Sequence, residues 1–307
     1  MIFDNIEQFE NLTPSQIQKH FGTFKKELTK LVKHRSNMML NPLNLKHLNS
    51  LDESIADVVT LNLEDAIAPA RKKEALYNIA LFLSNLKKST SFIVIRTNPF
   101  CEGGKEEIEF LNDFGFDAIR LPKVTSPKEL EVALKILNFE KDLHFSLETK
   151  EAFGCIKEFK IDNRITTANI GILDLLASLK LPQSILQRAN PTIDYILTKF
   201  LIECKTVDIH PVSFMYQDYN NTDEFRKWCE YEKSFGFTSK ACMGPKQAII
   251  ANEIFDTTKA EIQRAKYIKE IFEAHSSKGI NGFMDDKYGF IDEPIYRDAL
   301  NILQLLD

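Results

Sequence analysis

The chain has 307 residues, 44 of them acidic and 39 basic, for a formal charge of −5. With 44% hydrophobic and 27% charged side chains it can bury a sizeable core, which excludes disorder as its main state. The acidic balance also excludes a general nucleic-acid binder, which needs a basic face to displace counterions.

The first predicted element is a helix. Thr13-Pro14-Ser15-Gln16 supplies an N-cap, a proline at the first helical position and a capping-box glutamine. Apolar residues follow at Ile17, Phe21, Phe24, Leu28 and Leu31, the spacing of one buried face. Lys25, Lys26, Lys30, Lys33 and Arg35 then read as the solvated side of that helix. Beyond Arg35 short apolar runs alternate with helical stretches, the signature of βαβ units. Eight runs read as strands: Asn37–Leu40, Val58–Leu63, Phe92–Arg96, Ala118–Leu121, His144–Glu148, Thr167–Ile170, Thr206–Ile209 and Ala241–Met243. Eight parallel strands with intervening helices predict an α/β fold, a (β/α)8 TIM barrel. A doubly wound open sheet is the rival, but no glycine-rich phosphate loop follows the first strand. The expected organisation is an N-terminal helical extension over 1–34, the barrel over 35–258 and a C-terminal helical lid segment over 259–307.

The five cysteines, Cys101, Cys155, Cys204, Cys229 and Cys242, are odd in number and lack C-x-x-C spacing, so they read as reduced thiols. The first residues, MIFDNIEQFENLTPSQ, carry acids where a secretory leader needs positive charge. No stretch approaches the roughly 20 apolar residues of a membrane span. The expectation is a cytoplasmic protein without membrane or nucleic-acid partners.

In a barrel of this kind the loops after the strands build the active face. The polar residues at those strand ends are Glu64, Asp65, Arg96, Asn98, Lys123, Glu148, Thr149 and Asp174. Glu148 and Asp174, two carboxylates from neighbouring strands without nearby histidine or cysteine, suit a hard cation such as Mg²⁺ that keeps positions open for water and substrate oxygens. A helix N-cap for Asp174 and an ion pair for Glu148 compete with that reading. Arg96 could hold a carboxylate or a developing oxyanion, or form a salt bridge with Glu64 or Asp65. His144 and His210 read as satisfied structural histidines, and Cys155 and Cys242 as core thiols without an adjacent base.

These words also carry a family resemblance. LNLEDAIAP at Leu61–Pro69 resembles the LDLEDAVAP of the citrate lyase beta subunit and its relatives in the HpcH/HpaI aldolase group, which includes malyl-CoA and citramalyl-CoA lyases. RSNMMLNP resembles the RSxLFVP opening of that group. RTN at Arg96–Asn98, LPKV at Leu121–Val124, LET at Leu147–Thr149, GILDL around Asp174, FGFTSKACMGPKQ and GFIDEP follow in the family's order.

The resemblance implies a TIM barrel, commonly trimeric, with a lid contributed across a subunit interface. It places Glu148 and Asp174 on the Mg²⁺ ligands and Arg96 on the arginine that holds a substrate carboxylate or thioester oxygen. Asn98 and Lys123 join Arg96 as substrate-binding residues. Glu64 and Asp65 become an acidic pair at the floor of the site, and Asp292 a lid acid/base. The implied activity is carbon–carbon lyase chemistry on a 3-hydroxy-acid acyl thioester such as a malyl-, citramalyl- or citryl-CoA. Acyl-carrier or other lyase-complex subunits are implied as partners in some branches. Against the pattern, the first aspartate of LDLED is Asn62, the histidine of IHP is Gly244, the glycine of VPG is Leu43, the glycine after ETA is Ala152, and a phenylalanine is Ile170. A catalytically degenerate protein that binds a ligand or joins a complex is the alternative.

Overall fold

A computed structural model describes residues 1–30 and 33–304. Contacts divide the chain into two compact units, Met1–Phe255 and Asp256–Asp307.

The first unit is built on eight parallel strands: β1 (Ser36–Leu40), β2 (Val58–Asn62), β3 (Phe92–Arg96), β4 (Ala118–Leu121), β5 (Asp142–Leu147), β6 (Ile165–Ile170), β7 (His210–Val212) and β8 (Lys240–Cys242). The hydrogen-bonded order runs β7-β6-β5-β4-β3-β2-β1-β8. A parallel bridge from Ser213 to Lys240 joins the two remaining edges, so the sheet closes into the expected (β/α)8 barrel. Helices such as Lys72–Asn85 and Pro191–Thr206 cover the outside. Strands covered on both faces read as continuous apolar runs rather than alternating ones. FIVIR and VVTLN, buried at every position, follow that rule.

Two elements differ from the sequence expectation. The seventh strand is His210–Val212, not Thr206–Ile209. Thr206 still belongs to the preceding helix, and the chain turns at Asp208, whose φ is 54°. The apolar residues Val207 and Ile209 flank that turn and mimic a strand.

The N-terminal helix is the larger difference. One α-helical turn, Pro14–Ile17, and a 3-10 turn, Gln18–His20, are all that forms; from Phe21 the chain runs without regular structure, and Leu31 lies outside the described residues. Tertiary contacts override the local propensity. Phe21 packs edge-on to Phe114 at 5.6 Å. Gly22 passes so close to Asn85 that an added β-carbon would meet its Oδ1 at 2.5 Å. Lys26 is not solvated as expected: it is buried, with Nζ 2.8 Å from Asp117 Oδ1. Asp117 also accepts the backbone N–H groups of Thr29 (2.7 Å) and Ile93 (2.6 Å), so it ties the N-terminal strap to the start of β3. The segment therefore belongs to the barrel's own compact unit.

The second unit contains the helix Lys259–Ser276, a hairpin of β9 (Gly282–Asp285) and β10 (Gly289–Asp292), and the helix Glu293–Gln304. Thr258 and Glu261 form a capping box at its start. Its core comprises Ala265, Ile268, Phe272, Ile291 and Ala299. No helix among the described residues is long and apolar enough to cross a membrane.

Candidate active site

The C-terminal ends of β2 to β6 bring most of the expected residues together. Glu64, Arg96 and Glu148 are all buried. The Arg96 guanidinium lies between two carboxylates, 2.8 Å from Glu64 Oε2 and 2.9 Å from Glu148 Oε1. Its Nη2 is also 3.8 Å from Asp65. The salt-bridge reading of Arg96 is thus realised, with Glu148 added as a partner.

Lys123 links the same groups from the other side. Its backbone N–H donates to Glu148 Oε2 (2.9 Å), and its ammonium contacts Glu64 (2.5 Å) and Asp65 (3.1 Å). Its φ is 49°, a left-handed conformation that costs a lysine energy and is found chiefly where surrounding structure enforces it, often at functional sites. Ala66, after the acidic pair, is also left-handed, with φ 71°. Asn62, where the resemblance has aspartate, shapes this turn: its Nδ2 donates to the Asp65 carbonyl and its Oδ1 accepts the Glu64 N–H.

The carboxylates do not share one environment. Burial raises the Glu64 pKa against the opposing pull of Arg96 and Lys123. Burial acts the same way on Asp65, but hydrogen bonds from Glu64 and Lys123 outweigh it and hold Asp65 low. The two adjacent carboxylates are thereby pushed apart, Glu64 upward and Asp65 downward. For Lys123, burial favours the neutral amine, but the contacts to Glu64 and Asp65 prevail and raise its pKa.

Glu148 and Asp174 line one cavity of about 330 Å³, together with Asp65, Arg96, Arg120, Ser146, Asn169 and Gly171. Asp174 is exposed and stands in the first turn of the helix Ile172–Ser178, whose N-cap is Gly171. The N-cap alternative for Asp174 therefore fails, and its carboxylate has no partner among the described residues. Asn98 does not line this cavity. Its backbone N–H and amide donate to Glu107, its Oδ1 accepts from Lys72, and it is fully buried. Asp292 belongs to the second unit, where it ends β10 and accepts the Ile295 N–H at 3.3 Å.

Sequence reading missed Arg120, Ser146 and Asn169. Arg120 sits beside Arg96 in the β3–β4 register, and neighbours in register share a sheet face; that parity was the available signal. Burial, with Arg96 close by, lowers its pKa to about 9, so it stays a cation at neutral pH. His144 and His210 are structural, as expected, but not satisfied: both ring nitrogens of His144 and Nε2 of His210 lack partners among the described residues. Cys242 is a fully buried thiol whose pKa burial pushes up to about 12, and burial likewise raises that of the half-buried Cys155. Beside Gly244, the Tyr219 ring occupies the space a side chain would need, 2.9 Å from where a β-carbon would stand.

The HpcH/HpaI aldolase/citrate lyase family model matches residues 35–245. The chain belongs to this family. The mitochondrial citramalyl-CoA lyase of Mus musculus is 24% identical, the match covering 90% of this chain and 87% of that protein. The citrate lyase subunit beta of Leuconostoc mesenteroides subsp. cremoris is also 24% identical, over 81% of this chain and 85% of that one. Among solved structures, the CitE protein of Mycobacterium tuberculosis in complex with magnesium, acetoacetate and coenzyme A superposes with a TM-score of 0.69 at 17% identity, covering 89% of this chain and 98% of that one. At that identity the likeness concerns the fold.

Proposed function

We propose that this family member is a Mg²⁺-dependent carbon–carbon lyase that cleaves or forms a 3-hydroxy-acid acyl thioester, such as a citryl-, malyl- or citramalyl-CoA. The observation that carries the reading is the convergence of Glu148 and Asp174 on one cavity at the mouth of the barrel, beside an arginine and an acidic pair. The named relatives, lyases of citramalyl-CoA and citrate, support it.

The donor set fits a hard divalent cation. Two carboxylates from separate elements leave most coordination positions for water and substrate oxygens, the arrangement Mg²⁺ favours. Gly171 supports the fit, since it leaves the Glu148 side chain room against the turn that carries Asp174. Glu148 and Asp174 would hold the ion, which when bound supplies Lewis acidity and a template for the hydroxy-acid portion.

The protein's own groups account for the remaining chemistry. Breaking the bond beside a hydroxyl requires removal of the hydroxyl proton and stabilisation of the enolate left on the thioester fragment. Asp65, held charged at the cavity wall, would accept a proton, and Glu64 would keep Arg96 and Lys123 in position. The family resemblance would give Asp292, the carboxylate that ends β10, proton exchange with the thioester fragment. Arg96, fixed by Glu64 and Glu148, presents positive charge where oxygen becomes negative. Lys123 positions Glu148 through its backbone and Glu64 through its ammonium, and Asn98 supports the loop after β3 rather than touching substrate.

Purified protein assayed with a panel of such thioesters and Mg²⁺ tests the reading: cleavage or reverse condensation of one member is expected, and inertness toward all of them sinks it. A second reading, ligand binding without catalysis, is favoured by Gly244 and the Tyr219 ring beside it, where the family pattern has a histidine. Calorimetry separates the two, since keto-acid binding that requires Mg²⁺ goes with the enzyme.

A further inference from the structure

Arg120 is 3% exposed, and its Nε has no hydrogen-bond partner among the described residues. No ion pair involves it among the described residues. The two other cations described at this site are already matched. Arg96 is held by Glu64 and Glu148, and Lys123 by Glu64 and Asp65. A buried guanidinium without an anion is costly, so natural proteins pair or hydrate such groups. Here the guanidinium instead reaches the cavity that Glu148 and Asp174 line.

The register fixes its level. Arg120 pairs with His144 on β5. His144, Ser146 and Glu148 follow one another on the same face at every second residue, so Arg120 springs from about 13 Å of strand below Glu148. Between those levels, on β6, Asn169 pairs with Ser146 and lines the same cavity. It is 6% exposed, and among the described residues both its Oδ1 and its Nδ2 lack partners. An unpaired arginine and an unpaired amide, buried and aimed into one cavity, offer up to seven N–H donors to a ligand. Such a donor set suits a carboxylate, since a guanidinium fork matches a carboxylate's two oxygens.

We propose that Arg120 is a specificity-determining residue that binds a carboxylate of the substrate with help from Asn169, and that the acid portion of the substrate is therefore a dicarboxylate. One carboxylate goes to the Glu148 and Asp174 end and the second to Arg120. The assignment of the first rests on the lyase reading; the unmatched charge of Arg120 does not.

Calorimetric titration with oxaloacetate and with pyruvate, each in the presence of Mg²⁺, tests this on the wild-type protein and on Arg120→Met. The wild type should bind the dicarboxylate about tenfold or more tightly than the monocarboxylate, the size expected for one charge-assisted pairing. Arg120→Met should bring the two affinities within about twofold of each other by weakening only oxaloacetate. If Arg120→Met folds poorly, Arg120→Gln is judged by the same ratio. A wild type that does not prefer oxaloacetate, or binds neither acid, overturns the proposal, as does a variant that keeps the preference. Preference lost in the variant without turnover of any thioester by the wild type would remove the lyase reading alone. Turnover without the preference would remove the Arg120 proposal alone.

Discussion

Gly171 faces Glu148 so closely that a β-carbon at position 171 would stand 2.9 Å from Glu148 Oε1. The Glu148 carboxylate cannot easily yield, because Arg96 holds one oxygen and the Lys123 N–H the other. Gly171→Ala should therefore push the turn that carries Asp174 and the Glu148 carboxylate apart. We expect apparent Mg²⁺ affinity to fall by about 10- to 100-fold, the range seen when a metal ligand loses its orienting contacts. A metal titration of activity and a direct calorimetric titration both read this; unchanged affinity would show that Glu148 is not a ligand.

Glu148 and Asp174 should respond differently to neutralisation. Glu148 is buried between Arg96 and Lys123, so Glu148→Gln weakens a charge-assisted network and should cost about 2 kcal/mol of stability as well as activity. Asp174 is exposed and unpaired among the described residues. Asp174→Asn should leave thermal stability within about 0.5 kcal/mol while abolishing metal-dependent turnover. Melting curves and assays on both variants check the contrast, and an active Asp174→Asn would remove it from the metal site.

The strands were legible because each is a short apolar run bounded by turn residues, and their ends pointed to Arg96, Glu148 and Lys123. Two kinds of information were not. Thr206–Ile209 has strand-like residues, but the left-handed turn at Asp208 depends on where the helix before it stops. Phe21 to Leu28 has helical spacing, yet Phe114, Asn85 and Asp117 claim that segment through contacts 60 or more residues away. Arg120 was missed for a related reason. In AIRL a single arginine has no assignable face until the β3 register sets it beside Arg96.

The Lys26–Asp117 pair yields a stability prediction. Both side chains are almost completely buried, and removing one partner of such a pair leaves an uncompensated charge, at a cost of about 3–5 kcal/mol. Lys26→Met should lower the denaturant midpoint accordingly. Lys26→Met combined with Asp117→Asn should recover part of the loss, because no lone charge remains buried. Urea unfolding of the wild type, both single variants and the double variant gives the coupling. A Lys26→Met protein as stable as the wild type would place the strap outside the cooperative fold.

Acid should destabilise the barrel through its buried histidines. His34 stacks on His210 at 4.3 Å, and His144 stacks on Phe92 at 5.8 Å. Burial drives the His34 pKa from 6.5 down to about 4, although Asp57 opposes the shift, and pushes His144 and His210 well below their usual value. The folded state thus keeps these rings neutral while the unfolded chain binds protons from about pH 6.5 downward. Since the unfolded state binds more protons, stability rises with pH across this window and falls as pH drops from 6.5 toward 4. His34 alone accounts for about 3 kcal/mol over that range, at 1.4 kcal/mol per pH unit. The measurement is the urea midpoint at pH 7.5, 6.5, 5.5 and 5.0, above the range where most Asp and Glu side chains protonate. His34→Phe, which keeps a ring against His210, should flatten the acid limb; a slope unchanged by that substitution would assign the acid sensitivity to other groups.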